Sequence, residues 1–228
     1  MSKVWGIEMS EKTDQDNAII DRIIGERRSH RIFSDKVPAE DRITEIIHAG
    51  LHAPFAAAAL ENSSDYFRRF IVIPKNSDAI KKLIPLAYAE VNAMADQIVR
   101  ASEKNPILRS QASPFLSRLE IIKNMGAVPG IGNAPFYIVA AERRGFPPIE
   151  HQSLSYCMEN MWLKATALGL GFQLVSVTSQ LAENPTFCQI VGLEPNRWAM
   201  MGCAIGYPTQ SLSPSIRPPV DEVTIWLK

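Results

Sequence analysis

The sequence predicts a single α+β domain, and three features carry that prediction. Segments with helical spacing and segments with strand character are mixed along the chain rather than alternating strictly. No linker, internal repeat or low-complexity tract divides the 228 residues, a length within the range of one domain. Hydrophobic residues make up 46% and charged residues 21%, enough for a continuous core under a polar surface.

Each element follows from local pattern. Residues 1–16 are polar and read as a frayed tail ahead of a domain over 17–228. Ile19, Ile20, Ile23 and Ile24 recur at helical spacing and predict a helix over 17–28. Pro38 near the start, acids in the first turn and a stripe of Ile43, Ile46, Ile47, Gly50 and Leu51 predict a second over 37–53, stopped by Pro54. FRRFIVIP (67–74) reads as a strand closed by proline. A long helix follows over 77–104, interrupted in pattern at Pro85 and ending before Asn105-Pro106, then another over 114–125. VPGIGNAP (128–135) is a turn, PFYIVAAE (135–142) a buried strand, and 151–171 a helix with a small apolar face ended by Gly169 and Gly171. FQLVSVT (172–178) predicts a third strand, 184–191 a short helix, and WAMMGCAIGYP (198–208) a fourth strand. The end of the chain alternates Val223, Ile225 and Leu227 after two prolines, which predicts an extended arm in need of another sheet edge.

Composition excludes several classes. With 24 basic and 24 acidic residues there is no surplus of positive charge for a nucleic-acid surface. The longest apolar runs, such as 52–60, fall far short of a membrane span. The first residues lack the apolar centre of a secretory signal. Cys157, Cys188 and Cys203 are isolated, which fits reduced thiols in a cytoplasmic protein and leaves no four-cysteine metal cluster. Phosphate-loop, nucleophile-elbow and H-E-x-x-H motifs are absent. His48 and His52 lie four apart on a predicted helix, yet no further ligand supports a metal there; they read as an ordinary, partly buried pair near the helix end.

The feature left over is RRSHR (27–31), three arginines in five positions. Two readings stand. One is a solvated helix end, where cations meet exposed carbonyls. The other is a phosphate clamp, because guanidinium groups bind phosphate in paired, charge-assisted hydrogen bonds.

The order of RRSHRIF, VPAEDRITEIIHAGLHAP, FIVI, APFYIVAA, YCMENMWLKATALGLGFQLV, CAIGYP and RPPVDEV resembles the nitroreductase superfamily of FMN-dependent oxidoreductases, from about residue 19 to the end. The resemblance implies a three-layer fold with a mainly antiparallel central sheet flanked by helices. It also implies a homodimer that exchanges C-terminal arms, with FMN at the subunit interface. It assigns FMN contacts to Arg27, Arg28, Ser29 and Arg31, to Arg217 for the phosphate, and to the backbone of Val175, Ser176 and Val177 near the flavin. The implied activity passes a hydride from NADH or NADPH through the flavin to a small organic acceptor, such as a nitroaromatic or a quinone, in a ping-pong cycle. The flavin carries the chemistry, so no catalytic side chain is assigned. Glu61 and Tyr66 are candidates for the substrate mouth, with the helical segment 85–120 as a lid. Trp162, Met158 and Met161 follow helical spacing and read as core.

One stretch departs from the family pattern. Where relatives carry A-P-S-x-x-N-x-Q-P, this chain has Phe55, Ala58 and Leu60 in place of three polar residues. Three explanations stand: Glu61 or Asn62 fills the polar role, the pocket suits a different substrate or flavin pose, or flavin binding is weakened. A non-catalytic flavin-binding protein, or a specialised flavin-dependent oxidase, is therefore the alternative to a general NAD(P)H oxidoreductase.

Overall fold

A computed structural model describes residues 13–55 and 66–227. The helix α1 (Asp14–Glu26) starts earlier than its isoleucines alone predict. Thr13 and Asp16 form a reciprocal cap in which each side chain binds the other's backbone amide, and this orders the end of what reads as a polar tail. The helix α2 (Glu40–Leu51) turns Ile43, Ile46 and Gly50 inward. After the strand β1 (Arg68–Pro74) come two long helices, α3 (Asp78–Glu103) and α4 (Pro106–Met125).

Asn105-Pro106, expected to end one helix, also starts the next. The Asn105 side chain accepts from the amide of Leu108, and Pro106 takes the first helical position, where its missing N–H costs nothing. Helix α4 therefore begins eight residues before the predicted 114, and Pro114 lies within it. It ends at Gly126, which adopts φ 67°.

The strand β2 (Phe136–Arg143), the helix α5 (Glu150–Ala167) and the strand β3 (Gly171–Val175) follow. Then come the short helices α6 (Val177–Leu181) and α7 (Pro185–Val191), and the strand β4 (Trp198–Gly206). The strands form one antiparallel sheet in the order β1-β2-β4-β3. All eight residues of β2 are buried, as befits an inner strand covered on both faces.

Alternation along the strands divides the core in two. Tyr137, Val139, Ala141, Val175 and Ala204 face α3, α6 and α7, with Leu83, Ala87, Phe187 and Cys188 packed against them. Ile138, Ala140, Phe172, Cys203 and Ile205 face α2 and α5, against Ile46, Leu154 and Met161. Helices α2 and α5 approach so closely that a Cβ at Gly50 would stand 2.8 Å from Met161 Cγ. The result is helix, sheet, helix: the predicted α+β class with three layers.

The third strand is shorter than predicted. Residues 172–178 do not run on as one strand, because the chain turns at Ser176 into α6. The turn is held from inside. Thr178 Oγ1 donates to the carbonyl of Val175 at 2.7 Å, which leaves the Tyr137 hydroxyl as donor to Thr178 Oγ1, also at 2.7 Å. Burial pushes the Tyr137 hydroxyl far above the usual phenol range, so it keeps its proton and this bond.

Beyond Pro208 the described chain is exposed except at Thr224, which is half-buried. Among the described residues it adds no strand to the sheet, and Val220–Val223 is a single 3-10 turn, not part of an alternating strand. Ile216, Ile225, Trp226 and Leu227 are all more than four-fifths exposed.

Candidate functional site

The order of the sheet leaves β3 at an edge. The segment RRSHR runs beside the first half of that edge: Ser29 forms a parallel bridge to Phe172, and the His30 amide donates to the Phe172 carbonyl at 3.0 Å. Since backbone groups of a strand point alternately to either side, the N–H and C=O of Leu174 also point out of this edge, past the reach of the segment. A cavity of about 470 Å³ opens there. Its walls bring together Arg31, the strand end Gln173–Val177, the turn at Val128 and Pro129, and apolar side chains of α3 and α4 such as Met94, Phe115 and Ile122. Arg118, on α4, is a second arginine on its lining.

The three arginines of the knot go to different places. Arg31 is exposed and faces the cavity. Arg27 lies over the indole of Trp162, 4.4 Å from the ring centroid, with its Nε 3.1 Å from Glu159 Oε1 in an ion pair that lacks hydrogen-bond alignment. Trp162 in turn stacks on Phe172 at 5.0 Å and donates its Nε1–H to the Arg28 carbonyl. Arg28 is occupied by backbone oxygens: its Nη1 donates to the carbonyls of Gly25 and Arg27, and its Nε to that of Ser213 at 2.9 Å. That last bond ties the C-terminal segment to the knot, four residues before Arg217, which is exposed and donates to its neighbour's carbonyl. His30 is held below the usual imidazole range, first by burial and then by the charge of Arg28, so the knot gains no further charge at neutral pH.

Of the strand residues, Val175 and Val177 are buried and Ser176 is exposed, all on the cavity wall. Tyr66 is placed elsewhere. It precedes β1, at the opposite edge of the sheet, where its carbonyl accepts from Arg69 and its ring lies beside Phe67. Phe55, the first of the apolar replacements, packs its ring 4.1 Å from Phe67 at the same edge. Glu61, Asn62, Ala58 and Leu60 lie outside the described residues. His48 and His52 are exposed rather than partly buried, stacked edge to face at 4.7 Å. Among the described residues no cluster of three or more potential metal ligands occurs, and no helix is long and apolar enough to cross a membrane.

Sequence reasoning did not single out Gln173. It is 8% exposed, it lines the cavity, and its Nε2 donates to the Pro129 carbonyl at 2.9 Å. Its Oε1 is buried with no partner among the described residues. A signal was available: glutamine is the one hydrogen-bonding side chain between Phe172 and Val175, in an otherwise apolar strand.

A three-layer α+β fold with a mainly antiparallel sheet, carrying an apolar cavity with arginine at its rim, defines the class as a small-ligand-binding domain. The chain belongs to the nitroreductase family, whose profile matches residues 24–207, and it is by class an oxidoreductase. Solved structures agree on the fold. A nitroreductase with bound FMN from Desulfitobacterium hafniense DCB-2 is 20% identical, with a TM-score of 0.63, covering 92% of this chain and 98% of that one. A nitroreductase with bound FMN from Bacteroides fragilis NCTC 9343 is 18% identical, with a TM-score of 0.62, covering 91% and 98%. A BluB-like flavoprotein from Clostridium difficile 630 is 20% identical, with a TM-score of 0.63, covering 92% and 99%. No curated protein matches the chain in sequence.

Proposed function

We propose that the cavity at the β3 edge binds FMN, and that the protein is an FMN-dependent NAD(P)H oxidoreductase acting on a small organic acceptor. The observation that carries this reading is the largely apolar cavity at the β3 edge, whose lining brings Arg31 together with the turn at Ser176 and Val177. A planar heteroaromatic ligand with polar edges and an anionic tail matches those walls, and FMN has that chemistry. When bound, FMN supplies hydride transfer between NAD(P)H and a nitroaromatic, quinone or similar acceptor.

The chain's own residues would bind and position it. Arg31 would neutralise the phosphate, with Ser29 on the same segment and Arg217 as a further candidate four residues beyond the Arg28–Ser213 bond. The backbone at Ser176 and Val177 presents amides that the short helix α6 does not use, at a position fixed by the Tyr137–Thr178–Val175 chain of hydrogen bonds. Met94, Phe115 and Ile122 exclude water from the cavity. Arg27 and Arg28 hold the segment in place, through Trp162 and through backbone carbonyls.

A cytoplasmic homodimer is part of the proposal. Helix α1 has no buried residue, with Ile19, Ile20 and Ile24 exposed, and the C-terminal run leaves Ile216, Val220, Val223, Ile225, Trp226 and Leu227 uncovered. A second copy exchanging arms would bury both.

The test is the visible absorption spectrum of the purified protein, with and without added FMN, followed by titration of two variants. Flavin bands that survive desalting are expected. Arg31→Ala should weaken FMN binding about tenfold or more, the loss of one charge-assisted contact. Arg27→Ala should lower the melting temperature and change affinity much less. A protein that takes up no FMN refutes the reading. One that binds FMN but oxidises no NAD(P)H, with a quinone or nitroarene present, is a flavin-binding protein instead.

A further inference from the structure

The cavity at the β3 edge is lined by two arginines and, among the described residues, by no acidic side chain and no lysine. Arg31 arrives with the RRSHR segment, Arg118 with α4. Helical spacing sets the place of Arg118. It follows Phe115 by three residues, Leu119 by four and Ile122 by seven, so the four share one face of the helix, and all four line the cavity. Arg118 is the only polar member of that stripe, at a position where a helix that faced only a core would carry an apolar residue. It is exposed and has no hydrogen bond or ion pair among the described residues, whereas Arg22, Arg42, Arg68, Arg144 and Arg197 each pair with a carboxylate. Its apolar neighbours on the lining are uncovered too, Phe115 at 42% and Ile121 at 59% exposure. A guanidinium set among apolar side chains, with no carboxylate to neutralise it, gives this wall a positive potential. It favours a flat apolar ligand that carries one negative group.

Resting on the reading that FMN occupies this cavity with its phosphate at Arg31, we propose that Arg118 is a specificity residue for the acceptor. It pairs with a carboxylate on an aromatic acceptor whose ring lies against Phe115. Arg31 answers the charge of FMN, so the second arginine answers a second charge, that of the molecule which shares the cavity. Arg118 orients this acceptor and neither gives nor takes a proton or an electron. The acceptor class is thereby narrowed from any small nitroaromatic or quinone to one that is anionic.

The test uses the oxidised, FMN-loaded protein without NAD(P)H, so that an acceptor binds and does not turn over, and reads dissociation constants from the shift of the flavin absorption bands. 4-Nitrobenzoate is compared with 4-nitrobenzamide, which has nearly the same shape and no charge. Wild type should bind the carboxylate at least about tenfold more tightly, the worth of one charge-assisted pair. Arg118→Gln should bring the two constants close together, and Arg118→Lys should restore part of the preference. Arg109→Gln removes the same charge from the same helix away from the lining and should keep the wild-type preference. FMN affinity should be the same in Arg118→Gln as in wild type. If wild type binds both ligands alike, or if Arg118→Gln keeps the preference, Arg118 does not read the acceptor; the inference fails and the FMN reading stands. Equal loss of preference in Arg109→Gln would make the effect one of general charge and overturn it as well. If Arg118→Gln loosens FMN, or loosens NADP⁺ but not 4-nitrobenzoate, the residue serves a nucleotide phosphate and the inference fails. If wild type takes up no FMN, the FMN reading falls and takes the inference with it.

Discussion

Arg68 and Glu142 form an ion pair whose side chains are both 0% exposed, at the junction of α2, β1 and β2. Arg68 Nε and Nη2 donate to Glu142 Oε2 at 3.2 and 3.0 Å. The same guanidinium donates to the carbonyls of Gly50, Ala53 and Pro54 at 2.9, 3.2 and 3.4 Å. It therefore fastens the end of α2 to the start of β1, on both sides of the stretch where the family's polar loop residues are replaced. Arg68→Met removes all five contacts, leaves a carboxyl group buried without its cation, and should cost about 3–5 kcal/mol near pH 8. The pH dependence has a definite sign. Burial already raises the Glu142 carboxyl above its usual range, with Arg68 as the main opposing influence. Without Arg68 it rises further. The folded state then binds a proton that the unfolded chain has released, so stability falls as pH rises from the unfolded value near 4.5 through the folded value. The penalty of Arg68→Met should therefore be smallest near pH 5 and grow towards pH 8. Urea unfolding followed by tryptophan fluorescence measures this directly. The double variant Arg68→Met with Glu142→Leu buries no charge and should recover most of the loss with little pH dependence. A single variant within about 1 kcal/mol of wild type at pH 8, or a penalty independent of pH, would refute this account.

Two further predictions concern the support of the site. A Cβ at Gly202 would run into Thr178 Oγ1 and stand 2.8 Å from the Tyr137 hydroxyl, so Gly202→Ala should cost about 1–3 kcal/mol in urea unfolding and weaken FMN binding by displacing the β3–α6 turn. Tyr137→Phe removes only the donor to Thr178 and should cost about 1 kcal/mol; a change in flavin affinity with no change in stability would contradict this role. Burial pushes the Cys157 thiol up to about 12 and Cys203 well above its ordinary value, and Cys188 is raised as well. A thiol-reactive dye should leave all three unlabelled in the native protein and label them at the rate of unfolding. Fast labelling of any one would mean that its neighbourhood opens locally.

Every strand and every helix but the short α6 left a signal in the chain itself, because those signals are local. Isoleucine spacing marked α1 and α2, and apolar runs marked β2 and β4, while the first eight residues of α4 were missed because Asn105-Pro106 read only as the end of α3. Family membership was equally legible, since it rests on motif order. The end of β3 was not, because the bond that turns the chain at Ser176 comes from Tyr137, 41 residues before Thr178. Nor could five consecutive residues show that Arg31 faces a cavity while Arg27 and Arg28 are held by other partners. Those partners, Trp162 with Glu159 and Ser213, arrive from α5 and from 185 residues downstream. Gln173 makes the same point for a single atom. The sequence determined that a polar side chain sits in an apolar strand. Only the tertiary structure, by setting the Pro129 carbonyl against its amide, decided that its oxygen is the end left without a partner among the described residues.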